Sequence, residues 1–158
     1  MASVGTLHLT IVRAELTRDT ELFGKMSPYV ALAHRENKVK TDIKMKAGKN
    51  PVFQETWELD VKYLGDELQI GVWDHEPIGK DDHIGSVTIK MAAICVDGLT
   101  DNWFDLMHKN KKAGRICFSS KWEPAQQAQQ PAMGMPAMQM DPAQMMMMMQ
   151  MMQQMNQK

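Results

Sequence analysis

The chain is short of most features that would fix its class by composition alone. It has two cysteines, Cys95 and Cys117, in 158 residues. That is too few for a disulfide framework, so they read as reduced, buried small hydrophobes of a cytoplasmic protein. It has almost no net charge: 18 Lys and Arg against 19 Asp and Glu give −1. This balance excludes a globally basic surface for nucleic acid. No apolar run approaches the roughly 18 residues of a membrane-spanning helix. His8, Arg13 and Glu15 interrupt the first apolar stretch, Ala2 stands where myristoylation needs glycine, and the last residues carry no prenylation cysteine. Membrane contact is therefore expected to be peripheral at most. Glycine-rich phosphate loops, the dinucleotide fingerprint and nucleophile motifs are missing too. The expectation is a protein without enzymatic activity.

What is present is alternation. Leu7, Leu9 and Ile11 alternate with His8, Thr10 and Val12, Leu68–Trp73 alternates again, and further short strand-like runs fall at Tyr29–Leu32, Lys38–Thr41, Phe53–Leu59, Ile84–Met91, Trp103–Leu106 and Arg115–Phe118. About eight short strands at spacings of roughly 10–15 residues, separated by Gly, Pro, Asn and Asp, predict an all-β, eight-stranded antiparallel β-sandwich rather than βαβ units. One helical turn is expected inside it, near Met91–Ile94. Its long loops should gather at the two ends.

From Ala125 onward the composition changes. Twelve of the seventeen methionines lie there, and Asp141 and Lys158 are the only charged side chains. We divide the chain into a sandwich domain at 1–123 and a Pro/Gln/Met-rich tail at 124–158, flexible over 124–140. Asp141-Pro142 reads as an N-cap followed by proline at the first helical position, which predicts a short helix over 142–158. Gln150, Gln153, Gln154 and Gln157 fall on one arc of that helix. Met145, Met148, Met149, Met152 and Met155 fall opposite.

The segment Val72-Trp73-Asp74-His75-Glu76-Pro77-Ile78-Gly79-Lys80-Asp81-Asp82-His83-Ile84-Gly85 carries the chemistry. An apolar alternating run ends in a loop crowded with carboxylates, then resumes. A hard cation that takes six to eight oxygen ligands would relieve the repulsion. A second acidic segment, Asp19-Thr20-Glu21, lies far back in the sequence.

With these motifs in this order, residues 5–123 resemble a C2 domain, the calcium- and phospholipid-binding β-sandwich of Greek-key type. The carriers are Gly5-Thr6-Leu7-His8-Leu9-Thr10-Ile11-Val12, Ser27-Pro28-Tyr29-Val30, Lys40-Thr41 and Asn50-Pro51-Val52-Phe53-Gln54-Glu55-Thr56-Trp57. Trp73-Asp74-His75-Glu76, Asp82-His83-Ile84-Gly85, Gly114-Arg115-Ile116 and Trp122 complete the set. The resemblance implies calcium held by five acidic positions on two loops at one pole: Glu21, Ser27, Asp74, Glu76 and Asp82. The family prefers Asp at all five. Here Asp74 and Asp82 keep it, Glu21 and Glu76 each add a methylene, and Ser27 has no carboxylate. Four carboxylates suit one weakly held ion better than two.

Five lysines, Lys38, Lys40, Lys44, Lys46 and Lys49, fall within twelve residues. In a C2-like chain they imply contact with an anionic phospholipid or phosphoinositide surface. At about 1 kcal/mol per lysine near such a surface, the five supply on the order of 5 kcal/mol. Leu22, Phe23 and Ile78 flank the acidic segments and offer apolar loop tips. The functional expectation is a peripheral binding module for anionic membranes, calcium-regulated where the acidic loops take an ion. The alternative is a calcium-independent scaffold in a cytoskeletal or structural assembly, with the sandwich and the 142–158 helix serving a protein partner or self-association.

Overall fold

The computed structural model describes residues 4–125 and 142–155. Two units separate along the chain, Met1–Ala125 and Gln126–Lys158. The first holds β1 (Gly5–Leu16), β2 (Pro28–His34), β3 (Asn37–Lys40), β4 (Val52–Val61), β5 (Glu67–Asp74), β6 (Asp82–Lys90), α1 (Met91–Cys95), β7 (Leu99–His108) and β8 (Lys111–Pro124).

The strands hydrogen-bond in the order β3-β2-β5-β6-β7-β8-β1-β4, antiparallel throughout. Between β6 and β7 the ladder thins to one pair, Ser86 with Met107. At that seam the sheet folds over into two four-stranded layers, 3-2-5-6 and 7-8-1-4. The expected eight-stranded sandwich and its single internal helical turn are both present.

Period-two patterning explains the layers. In β1, Leu7, Leu9 and Ile11 are fully buried while His8, Thr10 and Val12 are half-buried. Val30 and Leu32 of β2, Leu68, Ile70 and Val72 of β5, and Ile116 and Phe118 of β8 meet them in one core. Ile94 and Cys95 of α1 close one end. Both Cys95 and Cys117 are buried free thiols, and burial pushes the Cys95 thiol up to about 11.

The first and last strands lie side by side, from Gly5 opposite Pro124 to Leu16 opposite Gly114. The final strand runs past the expected boundary at 123. Pro124 pairs with Gly5, and the Ala125 N–H donates to the Val4 carbonyl at 3.0 Å. β7 and β8 are joined by Lys109-Asn110, both with positive φ (47° and 65°). That is the backbone of a type I′ turn, whose twist matches the flanking strands.

Gly85 of β6 packs closely against β7 and β8. A Cβ built there would meet the Ala113 Cβ at 2.9 Å and the Leu106 Cβ at 3.1 Å.

In the second unit, α2 spans Pro142–Met155, with Pro142 in the expected first position and every side chain exposed. The expected flexible stretch from 126 on, the Asp141 cap and the helix end at 156–158 lie outside the described residues. Among the described residues no helix is long and apolar enough to cross a membrane.

Candidate functional site: an acidic pole beside a basic groove

β1 ends at Leu16, β2 begins at Pro28, β5 ends at Asp74 and β6 begins at Asp82. Pro28 pairs with Asp74, and Asp74 with Asp82. The loops 17–27 and 75–81 therefore leave the sandwich at the same pole.

Asp74 continues the inward row of Leu68, Ile70 and Val72, and is fully buried. A buried carboxylate needs donors. One oxygen accepts the Ser27 N–H at 2.7 Å and the other accepts the Thr20 hydroxyl at 2.8 Å. The His75 N–H returns to the Ser27 carbonyl at 2.9 Å. These bonds splice the two loops together.

The splice gathers the carboxylates. One ligand oxygen each from Glu21, Asp74 and Glu76 lies within 4.8 Å of the others. Contact with Asp74 first, then with Glu76, then burial, pushes the Glu21 carboxyl up to about 7. The hydrogen bond from Glu21 pulls Glu76 down, but contact with Asp82, burial and the charges of Asp74 and Asp82 outweigh it and raise Glu76. Asp82 thus adjoins Glu76 on the flank of the three. The cluster is short of positive charge, and near pH 7 it holds a proton part of the time.

Ser27 takes a different part. It is buried, and its hydroxyl accepts the Lys46 N–H at 3.0 Å. It fixes Asp74 through its backbone while its side chain caps the loop after β3. Asp81 is also engaged. It accepts bonds from the Tyr29 hydroxyl and, at 2.9 Å, from the Glu76 N–H, with the His75 ring at 3.3 Å. The bond to Tyr29 comes first among the causes that hold Asp81 below the usual carboxylate range. Burial, then Asp81, pushes Tyr29 up to about 12. Thr20 was not legible as a site residue, and Asp81 was legible only as one more loop carboxylate, because Thr20's bond to Asp74 and Asp81's bond from Tyr29 depend on a loop shape that local spacing does not encode.

His83 behaves unlike a simple loop histidine. Its Nδ1 lies 2.9 Å from that of His108, and its ring stacks edge-on to Trp73 at 4.9 Å. Burial, then His108 and Arg18, hold His83 below its ordinary value.

The five lysines divide. Lys38 and Lys40 line a groove of about 700 Å3 with Gln69, Ile70, Trp73 and His83. The Lys40 ammonium lies 5.7 Å from the Tyr29 ring centroid. Lys44 instead approaches Glu55 at 3.9 Å, and Lys46 and Lys49 sit in the β3–β4 loop outside the groove lining. At the acidic pole the apolar tips stand out in solvent: Leu22 is 93% exposed, Phe23 91% and Ile78 91%.

A two-layer antiparallel sandwich that gathers carboxylates from two distant loops at one pole defines a class of small, loop-presenting binding modules. The chain belongs to the C2 domain family, whose model matches residues 5–106. It is 31% identical over 122 residues to Synaptotagmin-4 of Arabidopsis thaliana, a match covering 76% of this chain and 21% of that protein. The chain thus spans about a fifth of that relative. It is 25% identical over 123 residues to 16 kDa phloem protein 2 of Arabidopsis thaliana, covering 77% of this chain and 84% of that protein. The C2A domain of plant Extended Synaptotagmin 1 shares the fold, with a TM-score of 0.71 at 23% identity over 79% of this chain and 98% of that one.

Proposed function

We propose that the protein is a peripheral, non-enzymatic module that docks on anionic phospholipid membranes, with one calcium ion at its acidic pole strengthening the attachment. The observation that carries this reading is the meeting of Glu21, Asp74 and Glu76 within 4.8 Å. The fit to calcium is chemical. The donors are hard oxygens, with no sulfur or imidazole among them. Glu21, Asp74, Glu76 and Asp82, with water, reach the coordination number of one ion. Ser27 supplies no charge, so a second ion lacks ligands.

Calcium would supply positive charge at a pole that otherwise repels anionic headgroups. The chain's own groups do the rest. Asp74 is held in place by Thr20 and Ser27 before any ion arrives. Leu22, Phe23 and Ile78 offer apolar area beside the site, each at about 25 cal/mol per Å2 buried. Lys38 and Lys40 in the groove add electrostatic attraction of about 1 kcal/mol each near an anionic surface. Such a protein works in the cytoplasm, on the membrane face where anionic lipids are found.

Calorimetry with calcium, followed by vesicle sedimentation with and without phosphatidylserine, tests the reading. Calcium-dependent sedimentation lost in Asp74→Asn and Asp82→Asn is the expected result. Sedimentation that ignores both substitutions and chelator removes the metal from the mechanism.

A second reading rests on α2. Eight of its methionines are exposed, on all sides of the helix. A helix this short is marginal alone in water, and methionine suits adaptable apolar contacts. In this reading the sandwich is a calcium-independent scaffold and the tail ties it to a protein partner or another copy. Deleting 126–158 separates the two: loss of assembly with vesicle binding intact favours the scaffold, and the reverse favours the lipid module.

A further inference from the structure

A second charged site borders the acidic pole. The β7–β8 hairpin tip lies at the same end of the sandwich, since Gly114 pairs with Leu16 just before the 17–27 loop. There Arg18, His108, Lys109, Lys111, Lys112 and Ala113 line a pocket of about 420 Å3. We infer that this pocket is a metal-independent anion site that takes a phosphate group, distinct from the Lys38–Lys40 groove.

Three observations carry it. First, three of its four Lys and Arg side chains are unspent. Lys112 is engaged by Asp105 at 3.3 Å. Among the described residues no carboxylate pairs with Arg18, Lys109 or Lys111.

Second, the pocket is anchored before any ligand arrives. The Thr17 and Arg18 N–H groups both donate to the Ala113 carbonyl, at 2.8 and 3.0 Å. The Arg18 Nε donates to the His83 carbonyl at 3.4 Å. That engages one edge of the half-buried guanidinium and leaves its two Nη groups without a partner among the described residues. A planar guanidinium with free Nη donors grips phosphate oxygens bidentately, and lysines beside it add point charge. The Lys109-Asn110 turn fixes the hairpin tip.

Third, His108 lies close enough to two of these cations to feel their charge. Burial first, then Arg18 and Lys109, hold His108 below its ordinary value. Excess cationic charge with pre-placed donors and no internal acid suits a multiply charged phosphate rather than a carboxylate peptide or a second metal.

The full chain, titrated in EDTA with inositol 1,4,5-trisphosphate and with inorganic phosphate, tests the inference without any contribution from calcium. The Lys38→Gln/Lys40→Gln variant, its groove disabled, should still bind the trisphosphate. Adding Arg18→Gln, or Lys109→Gln with Lys111→Gln, should weaken that binding about tenfold or more. Amide shifts should then map to Arg18 and residues 109–113. These are exposed or half-exposed side chains, and an unchanged melting temperature shows that each variant is folded. Tighter binding per headgroup on vesicles of phosphatidylinositol 4,5-bisphosphate than in solution identifies a lipid source. Equal binding identifies a soluble phosphate. Either supports the pocket. A groove-disabled chain that binds no trisphosphate, or binding indifferent to Arg18→Gln and to Lys109→Gln/Lys111→Gln, overturns it and leaves the calcium reading untouched.

Discussion

Thr20 and Asp74 share a hydrogen bond of 2.8 Å across 54 positions of sequence. With the Ser27 N–H on the other oxygen, it makes a buried carboxylate the clasp between two loops. Asp74 is thus both a structural group and a candidate ligand.

Those two roles separate by substitution. Asp74→Ala leaves the Ser27 N–H buried and unpaired, at a cost of about 1–3 kcal/mol. Asp74→Asn keeps an acceptor for one donor but removes the charge. We expect a lower melting temperature for the alanine variant than for the asparagine variant, and no calcium heat in either. Equal melting temperatures for wild type and Asp74→Ala would show that the clasp is not needed.

The Glu21 carboxyl sets the pH dependence. Its value is raised in the folded state, from 4.5 to about 7. A raised folded value means the folded chain holds a proton that the unfolded chain has released. The stabilisation from that proton is complete below about 4.5 and fades as pH climbs through about 7. Calcium must displace the same proton. Its affinity should therefore increase from pH 6 to pH 8, with proton uptake by the buffer, read by calorimetry in two buffers of different ionisation enthalpy. Glu21→Gln should flatten both trends. Constant affinity over that range would exclude Glu21 as a ligand.

Gly85 leaves no room for a side chain between β6 and the β7–β8 pair. Its Cβ would come within 2.9 Å of Ala113 and 3.1 Å of Leu106. Both neighbours are buried, so Gly85→Ala should cost about 1–3 kcal/mol by overpacking, measured by urea denaturation.

The loop tips should report on membranes alone. Phe23→Asp and Ile78→Asp alter side chains 91% exposed, so the melting temperature should hold. Vesicle binding should fall severalfold as apolar area is replaced by like charge beside an acidic pole. Unaltered vesicle binding would mean that these tips stay out of the bilayer.

His83 is not the freely solvated loop histidine that its place beside the acidic loop suggests. It packs against His108 and Trp73 beside Arg18, and burial first, then His108 and Arg18, hold it below its ordinary value. Sequence shows a histidine beside an aspartate, but not the rings it packs against.

Much of the architecture was readable because it is periodic. Leu68, Ile70 and Val72 declare a strand with one buried face, and Asp74 extends that face by one more inward step. Pro142 opening a helix follows from its fixed φ and missing N–H. The lysines read as one cluster because they are close in sequence. In space, Lys38 and Lys40 line the groove while Lys44 turns to Glu55.

By itself the sequence determined the strands, their inward faces and the residue types of the acidic loops, since side-chain period and local repulsion act between near neighbours. Only the tertiary structure decided which distant groups meet. Glu21 joins Asp74 and Glu76, Asp81 is taken by Tyr29, and Arg18 faces the 109–112 hairpin. The physical reason is that antiparallel pairing brings strand ends far apart in the chain to one pole. There, buried hydrogen bonds rather than sequence spacing fix the loops.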